Sequence, residues 1–414
     1  MGSHKEEKYT QVKEYMEYVH EGLDKARLPA KAKEGIRAEL EELRAFVFDA
    51  RPARIAIVGR RGAGKSSLIN AIFGEVRAEV GDVKAQTGTG SWYTYSSASG
   101  ALEILDTRGL GEAERPEEAH GEETSLAEVQ AAIQDKCPDA ILFISKAKEV
   151  SGRIDEDTKQ LAELKAFIQE KHQYEAPLIG VVTQVDELSP KSADRPPFDH
   201  GEKQKNIEHA QAILADKLAA SAGSPVTVIP VAAYFEIEAG EVVYDLRWNV
   251  DKLLDFLIEQ LPNEAQMVLA KLSKVQAIQK KLARRIGKRM AGLTGAVGAQ
   301  PIPLADLPVI TGMQMTMIST IALISGRSLT KKDMKDFLGA LGVNVAAGFA
   351  FRQLARQLAR LFPVAGHAVS GAVAYAGTYA LAEAAIAYFI EERSLTNVKA
   401  VFQNEFQQKR EENE

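Results

Sequence analysis

The sequence predicts an α/β protein in which a doubly wound, mostly parallel sheet is flanked by helical regions at both ends of the chain. A glycine-rich loop at residues 59–66 joins a short apolar strand to a helix. Buried apolar runs then alternate with helical stretches as far as residue 262, which is typical of a parallel sheet with helices on both faces. The 414 residues, 45% of them hydrophobic, are enough for two or three domains with their own cores.

Residues 5–50 are predicted to form two helices that break near Pro29, because apolar residues recur there at helical spacing. The clearer apolar stripe belongs to the second helix and consists of Ile36, Leu40, Leu43, Phe46 and Val47. The sheet domain is predicted to span 51–262, and a hydrophobic, basic helical domain to span 263–414. A polar stretch with three prolines at 189–201 is predicted to be an exposed loop.

The glycine-rich loop reads G-R-R-G-A-G-K-S, a complete phosphate-binding motif set between a strand and a helix, as this motif requires. Its glycines allow backbone N–H groups to curl around a phosphate, and the start of the helix adds the positive end of its dipole. Lys65 is predicted to reach the β- and γ-phosphates, and the Ser66 hydroxyl to hold Mg²⁺. The predicted nucleotide contacts in this loop are Gly59, Gly62, Ala63, Gly64, Lys65, Ser66 and Ser67.

A second motif, D-x-x-G, begins where another apolar run ends at Asp106. Its aspartate is predicted to order Mg²⁺ through water, and the N–H of Gly109 to sense the γ-phosphate. In this order, the two motifs indicate a site for a nucleoside triphosphate.

The base is indicated by Thr183, Gln184 and Asp186, which follow the next buried strand. The Asp186 carboxylate can accept two hydrogen bonds, from guanine N1–H and from the exocyclic amine. Adenine offers no such pair, and leaving a carboxylate unpaired would disfavour ATP. A further apolar strand ends at Ala232 and Ala233, which suits a backbone loop that contacts the guanine carbonyl. These residues predict GTP and GDP as the ligands.

The motifs resemble, over roughly residues 50–262, those of the Era-like GTPases of the translation-factor class of P-loop GTPases. The C-terminal part is similar to bacterial GTPases with a hydrophobic helical domain of unassigned function, on the basis of residues 301–308 and the small-residue helices after them. The layout of helices, GTPase domain and helices also resembles that of immunity-related GTPases. This resemblance implies a Mg²⁺-dependent GTP hydrolase whose N-terminal and C-terminal helices pack together.

The resemblance also assigns roles in the first switch and in catalysis. Thr87 is predicted to hold Mg²⁺ and the γ-phosphate, with Thr89 as the alternative. The predicted catalytic residues are Lys65, Thr87 and Gly109. The predicted metal ligands are Ser66, Thr87 and Asp106.

The sequence departs from the family pattern in three respects, of which the choice between Thr87 and Thr89 in the first switch is one. Leu110 stands where many GTPases carry the glutamine that orients the attacking water. Hydrolysis is therefore expected to be slow in the monomer, or to be completed by a partner or a second copy, which favours a homodimer through the GTPase domain. Gln184 replaces the usual lysine, so affinity is expected to fall while discrimination by Asp186 is retained. Arg60 and Arg61 either face solvent or stabilise charge in the transition state.

The net charge of −6 is unevenly distributed, because 19 Lys and Arg stand against 11 Asp and Glu from residue 263 onward. Cys137 is the single cysteine, which excludes a disulfide framework and favours a reducing cytoplasm. No cleavable signal peptide is predicted.

The C-terminal region is predicted to begin with one long basic amphipathic helix at 265–290. The apolar stretches at 307–325, 338–351 and 361–390 follow, rich in small residues and in part long enough to span a bilayer. Glu383 would be costly at the middle of a bilayer. Three interpretations stay open: a helical domain that binds an anionic membrane reversibly, a wholly soluble bundle, and spanning helices.

Three functions follow from these observations. The favoured one is a GTP hydrolase that acts as a switch or assembly at a membrane surface, cytoplasmic and peripheral at the inner face of the membrane. The alternatives are a non-hydrolysing GTP-dependent scaffold or dimer, and an RNA- or ribosome-associated GTPase. The sequence shows no recognisable RNA-binding module, so nucleic acid is not expected as a partner.

Overall fold

A computed structural model of the chain describes residues 3–26, 28–60, 62–74, 92–97, 100–106, 125–152, 155–273, 275–299, 307–327, 331–343 and 371–413. The chain forms two compact units. The sheet unit is Arg51–Lys274, and the helical unit combines Met1–Ala50 with Val275–Glu414. The helical unit is therefore built from both ends of the chain.

The described helices of the two units are α1 Ser3–Lys25, α2 Ala30–Phe48, α3 Lys65–Phe73, α4 Ser125–Asp135, α5 Asp155–His172, α6 Gly201–Ala222, α7 Val250–Gln260, α8 Asn263–Ser273, α9 Gln276–Gly298, α10 Leu307–Ile324, α11 Lys331–Ala340, α12 Gly371–Ala385 and α13 Leu395–Asn413. A π-helical turn, Ile386–Ile390, continues α12. The predicted break between the first two helices is confirmed, and the five predicted stripe residues of α2 are all buried.

The described strands are β1 Ala53–Val58, β2 Trp92–Ser97, β3 Gly100–Asp106, β4 Ala140–Lys146, β5 Leu178–Thr183, β6 Thr227–Pro230, β7 Phe235–Glu238 and β8 Glu241–Asp245. The first six form one sheet in the order β2-β3-β1-β4-β5-β6, and the last two form a separate hairpin. All neighbours in the main sheet are parallel except β2, which pairs antiparallel with β3. The predicted doubly wound, mostly parallel sheet is confirmed.

The parallel register brings the carboxyl ends of the central strands to one edge of the sheet. Ile57 of β1 lies beside Asp106 of β3, and Lys146 of β4 lies beside Thr183 of β5. The two central strands β1 and β4 are almost entirely buried, which explains why both are continuous apolar runs. In such a sheet, ligands bind outside the carboxyl ends of the strands.

The prediction of a single helix over 265–290 is wrong, because the chain forms two helices there. The structure divides it into α8, which ends at Ser273, and α9, which begins at Gln276. α8 packs on β1 and β3, and the Glu264 carbonyl accepts a hydrogen bond of 3.0 Å from the N–H of Arg51. The two compact units consequently divide after Lys274 rather than after residue 262. The apolar residues of α8 cover the sheet, whereas those of α9 pack within the helical unit.

The helices of the helical unit approach one another closely at glycines. A Cβ built on Gly287 of α9 would lie 2.6 Å from the Cβ of Ala382 on α12. A Cβ built on Gly312 of α10 would lie 2.5 Å from a methyl of Val19 on α1. The small residues that permit close helix pairing in membranes here permit close packing within the unit.

Several polar residues in the apolar helices have partners inside the helical unit. Thr294 of α9 and Gln314 of α10 both hydrogen-bond to the hydroxyl of Thr378 on α12, at 2.8 and 3.0 Å. Glu383, only 6% exposed, accepts hydrogen bonds of 2.7 and 2.9 Å from Arg284. These four polar side chains, which would be costly in lipid, are therefore satisfied by protein.

One helical stretch of the described residues, Gly371–Ile390, is long and apolar enough to cross a bilayer, and 83% of its apolar window is buried inside the protein. Basic side chains of α9 are also engaged within the unit. Lys280 forms an ion pair with Glu391, and Arg289 forms one with Glu42.

Candidate nucleotide-binding site

The phosphate-binding loop follows β1 and leads into α3, as predicted. Gly59 must be glycine, because a Cβ there would lie 2.5 Å from the carbonyl oxygen of Ile144 on the neighbouring strand. Gly64 has a φ of 88° and caps the start of α3, a left-handed conformation that other residues adopt with strain. These two constraints shape the loop around the amino end of α3.

Lys65 and Ser66 open α3 at the position where a phosphate would lie. The Lys65 ammonium donates a hydrogen bond of 2.5 Å to the carbonyl of Gly59, so it stays over the loop. Ser66 is exposed, and its hydroxyl is accessible at the first turn of the helix. Backbone N–H groups at a helix start, together with an ammonium, form a site for an anion.

Two side chains at the end of β5 hydrogen-bond to the backbone of the phosphate-binding loop. The buried Thr183 hydroxyl donates a hydrogen bond of 2.7 Å to the carbonyl of Ala63, and the Gln184 amide donates one of 3.2 Å to the carbonyl of Gly62. The motif predicted to contact the base is therefore also joined to the phosphate-binding loop.

Asp186 lies in a short 3₁₀ turn, Val185–Glu187, directly after β5. The fully buried Val185 anchors this turn, while the Asp186 side chain is half-buried at the surface. Burial raises the pKa of Asp186 above its usual value, whereas the nearby ammonium of Lys203 lowers it. Lys148 forms an ion pair of 2.9 Å with Glu187 and thereby lowers the pKa of that neighbouring carboxyl.

Ala232 and Ala233 follow β6 at the same edge of the sheet and are both buried. The N–H of Ala232 donates to the carbonyl of Trp248 at 3.2 Å, and the N–H of Trp248 donates back at 2.9 Å. The backbone donor of Ala232 is thus already used, which leaves the peptide of Ala233 as the better candidate for contact with a base.

The predicted Mg²⁺ ligands are only partly described. Asp106 is the last residue of β3 and lies beside Ile57, close to the start of the phosphate-binding loop. Thr87, Thr89, Gly109 and Leu110 lie outside the described residues. Among the side chains that the structure describes, no three His, Cys, Asp or Glu residues gather to hold a metal. The hydroxyl and carboxylate donors suit Mg²⁺ held jointly with nucleotide phosphates, which is its usual mode.

Arg60 is held by the chain itself. Its Nε donates a hydrogen bond of 2.8 Å to the almost fully buried carboxylate of Asp157 on α5. This contact fixes the beginning of the loop to the helix beside it. Arg61, the other arginine of the loop, lies outside the described residues.

Three further residues around the base-binding turn were missed in the sequence. Lys203 lies in the first turn of α6, Phe198 in the loop before that helix and Trp248 between β8 and α7, and none of these segments carries a motif. Phe198 is 1% exposed and packs edge-on against Trp248, with ring centres 5.4 Å apart. The proline-containing stretch is thus an exposed loop with one buried anchor. In the sequence, the only indication of this anchor was that Phe198 is an isolated aromatic residue in a polar stretch.

The sheet, the glycine-rich loop and the strand-end motifs together define a P-loop GTPase fold. The family model for 50S ribosome-binding GTPases matches residues 54–184, which includes the phosphate-binding loop and the start of the base-binding motif but ends two residues before Asp186. This class assignment therefore concerns the sheet unit.

The chain is related in sequence to two groups of curated GTPases. It is 29% identical over 280 residues to the tRNA modification GTPase MnmE of Halorhodospira halophila, covering 65% of this chain and 53% of the relative. It is 34% identical over 140 residues to the GTPase Der of Persephonella marina, covering 34% of this chain and 28% of the relative. The chain thus spans about half of the first relative and less than a third of the second.

Among solved structures, Toc33 from Arabidopsis thaliana in complex with GDP and Mg²⁺ has a TM-score of 0.33 and 17% identity, covering 60% of this chain and 95% of that one. A similarity of this size supports no argument about this chain. The Era-like assignment and the similarity to immunity-related GTPases stay predictions.

Proposed function

We propose that this chain binds GTP with Mg²⁺, hydrolyses it to GDP and phosphate, and uses the nucleotide as a conformational switch. The observation that carries the proposal is the joined site at one edge of the sheet. Lys65 lies over the phosphate-binding loop, Thr183 hydrogen-bonds to that loop, and Asp186 lies three residues further on. Phosphate recognition and guanine recognition are therefore held in one framework.

The residues have distinct parts in the proposed reaction. Lys65 exchanges its bond with the Gly59 carbonyl for the β- and γ-phosphates, where its charge offsets the charge that develops during water attack. Ser66 and Asp106 supply oxygen donors for Mg²⁺, which when bound neutralises phosphate charge. Asp186 accepts hydrogen bonds from the guanine edge, and Ala233 offers a backbone donor to the guanine carbonyl.

The turnover assay that tests this proposal measures phosphate release per molecule as a function of protein concentration, with and without anionic vesicles. Lys65→Ala is the matched negative control, because it removes the phosphate contact. A rate above that control supports hydrolysis, and a rate that rises with concentration supports completion of the site by a second copy. Tight GTP binding with a rate equal to that of Lys65→Ala would favour the non-hydrolysing scaffold.

We also propose a membrane-surface role and a peripheral location. They are supported by the length and composition of Gly371–Ile390 and by the excess of basic residues after position 263. They are opposed by the burial of that helix and by the ion pairs that engage Lys280, Arg284 and Arg289. Flotation with anionic vesicles at physiological salt, with GTP and with GDP, tests them directly. Absence from the vesicle fraction in both states would leave a soluble helical bundle.

An RNA-associated role is the second candidate, and the relative named as a tRNA modification GTPase favours it. Since this chain covers only about half of that relative, the role does not transfer with the sequence match. Filter binding to structured RNA at moderate salt distinguishes it from the proposed switch, because a non-specific basic surface loses affinity steeply as salt rises.

A further inference from the structure

Lys203 has an unusual position for a lysine. It lies at the start of α6, its side chain is 0% exposed, and it is among the largest fully buried side chains of the described residues. Its ammonium donates hydrogen bonds of 2.6 Å to the carbonyls of Asp186 and Leu188. The lysine therefore binds the middle residue of the turn that carries the Asp186 carboxylate and the residue that directly follows this turn.

Burying an ammonium is unfavourable unless its donors are satisfied. Here two carbonyl oxygens accept from it, and it lies 5.2 Å from the centre of the Phe198 ring, within range of a cation–π interaction. Burial lowers the pKa of Lys203, and the Asp186 carboxylate opposes that shift. A buried charge so closely partnered fixes the geometry of the groups that it contacts.

The same cluster also reaches the other predicted base contact. The Phe198 ring packs against Trp248 at 5.4 Å, and the backbone of Trp248 exchanges two hydrogen bonds with Ala232. Lys203, Phe198 and Trp248 thus lie between the turn that carries Asp186 and the segment that carries Ala233. One cluster, in which Lys203 and Phe198 are buried and Trp248 is partly buried, contacts both sides of the predicted base site.

We propose that Lys203 is a positioning residue for guanine recognition, which holds the Asp186 turn at the height and orientation needed to accept two hydrogen bonds from the base. The inference rests on the proposed function, since it assumes that Asp186 binds guanine. Two parallel hydrogen bonds to one carboxylate tolerate displacements of only about 0.5 Å. A three-residue turn at the surface needs a support of this kind, and Lys203 binds the carbonyl of Asp186 within the turn and that of Leu188 directly after it.

The test compares GTP with ITP, whose base lacks the exocyclic amine that Asp186 is predicted to bind. Dissociation constants for both nucleotides are measured by calorimetry for the wild type, Lys203→Met and Lys205→Met. Methionine keeps the length of the lysine's unbranched stem and removes the ammonium with its donors. Lys205 is exposed on the same helix and serves as the matched control.

The wild type and Lys205→Met should prefer GTP over ITP by about tenfold or more, which is typical of one hydrogen bond to a charged group. In Lys203→Met the preference should fall below about threefold, because the carboxylate no longer meets both donors. Affinities that fall equally for GTP and ITP would overturn the inference, since a general loss of structure weakens both alike. A wild type with no preference for GTP would instead contradict the guanine site itself.

If Lys203→Met does not fold, Phe198→Leu decides the question. This change removes the ring beneath the ammonium and leaves the two carbonyl hydrogen bonds possible. A GTP-to-ITP preference between those of the wild type and Asp186→Ala supports the positioning role, and a preference equal to the wild type contradicts it.

Discussion

Replacing Thr183 by valine tests whether the end of β5 pre-organises the phosphate-binding loop. Valine has nearly the same size, so the change opens no cavity and removes only the hydroxyl. Thr183 and Ala63 are each 2% exposed, and their hydrogen bond is 2.7 Å long. Water cannot easily replace the lost donor, so the Ala63 carbonyl would be left unsatisfied.

An unsatisfied buried acceptor costs about 1–3 kcal/mol. If the change destabilises the phosphate-binding conformation of the loop by this amount, GDP affinity should fall about 5- to 150-fold, since 1.4 kcal/mol corresponds to a factor of ten. The loss should be the same for GTP and ITP, because the loop contacts phosphates and not the base. This equality separates the expected effect from that of Lys203→Met.

Titration calorimetry with GDP, GTP and ITP measures the effect of Thr183→Val. Thr227→Val is the matched control, because Thr227 lies exposed on β6 of the same sheet and a surface change of this kind is usually within about 0.5 kcal/mol. An affinity for all three nucleotides within twofold of the control would refute the argument that this hydroxyl shapes the loop.

Three further predictions concern the site and the helical unit. Lys65→Ala should abolish detectable binding of fluorescent GDP, and unchanged affinity would move the phosphate site elsewhere. Asp186→Asn should weaken GTP and admit xanthosine nucleotides. Burial raises the folded-state pKa of Asp186, so the stability of the wild type should decrease as pH rises through that pKa. Without nucleotide, Asp186→Asn should therefore melt at a higher temperature than the wild type at pH 7 and at the same temperature in acid. Gly287→Ala should destabilise the protein by about 1–3 kcal/mol through overpacking against Ala382. Gly292→Ala, in open space on the same helix, should be neutral or stabilising by up to about 1 kcal/mol in chemical denaturation.

The phosphate half of the candidate site could be predicted from the sequence because the residues that form it are close together in the sequence. Gly59, Gly64 and Lys65 act within one short loop, and their spacing alone specifies the turn, the helix start and the ammonium. The strand ends could also be predicted, since buried parallel strands are continuous apolar runs that end in polar residues. Asp186 and Thr183 are therefore found where the pattern placed them.

The base half could be predicted only in part because its support is tertiary. Lys203 is one of many lysines in the chain, and nothing in its neighbourhood indicates that its ammonium is buried. Its partners are backbone carbonyls, which leave no signal in the sequence. Ala232 illustrates the same limit, since its donor is taken by Trp248 through a pairing that joins distant segments.

The sequence could not decide between membrane helices and a packed bundle in the helical unit, for a different reason. Small and apolar residues at helical spacing satisfy equally the requirements of a bilayer and of a tightly packed bundle. Only the partner surfaces distinguish the two, and they depend on contacts between α9, α10, α12 and the N-terminal α1. The break between α8 and α9 could not be predicted from the sequence either, because both helices have apolar stripes and basic residues. The two helices differ only in the unit that covers their apolar surfaces.

The substitution of Gln184 for the usual lysine can be understood from the geometry of the loop. A lysine at this position would offer an ammonium donor and a long apolar stem, and these two features serve different parts of the site. Gln184 retains a donor, because its amide hydrogen-bonds to the Gly62 carbonyl at 3.2 Å, but its shorter stem covers less of a bound base. We therefore expect the phosphate-binding loop to keep its support and stacking on a bound base to be reduced. Selectivity for guanine should then depend more heavily on the hydrogen bonds of Asp186, and so on the buried lysine that holds its turn.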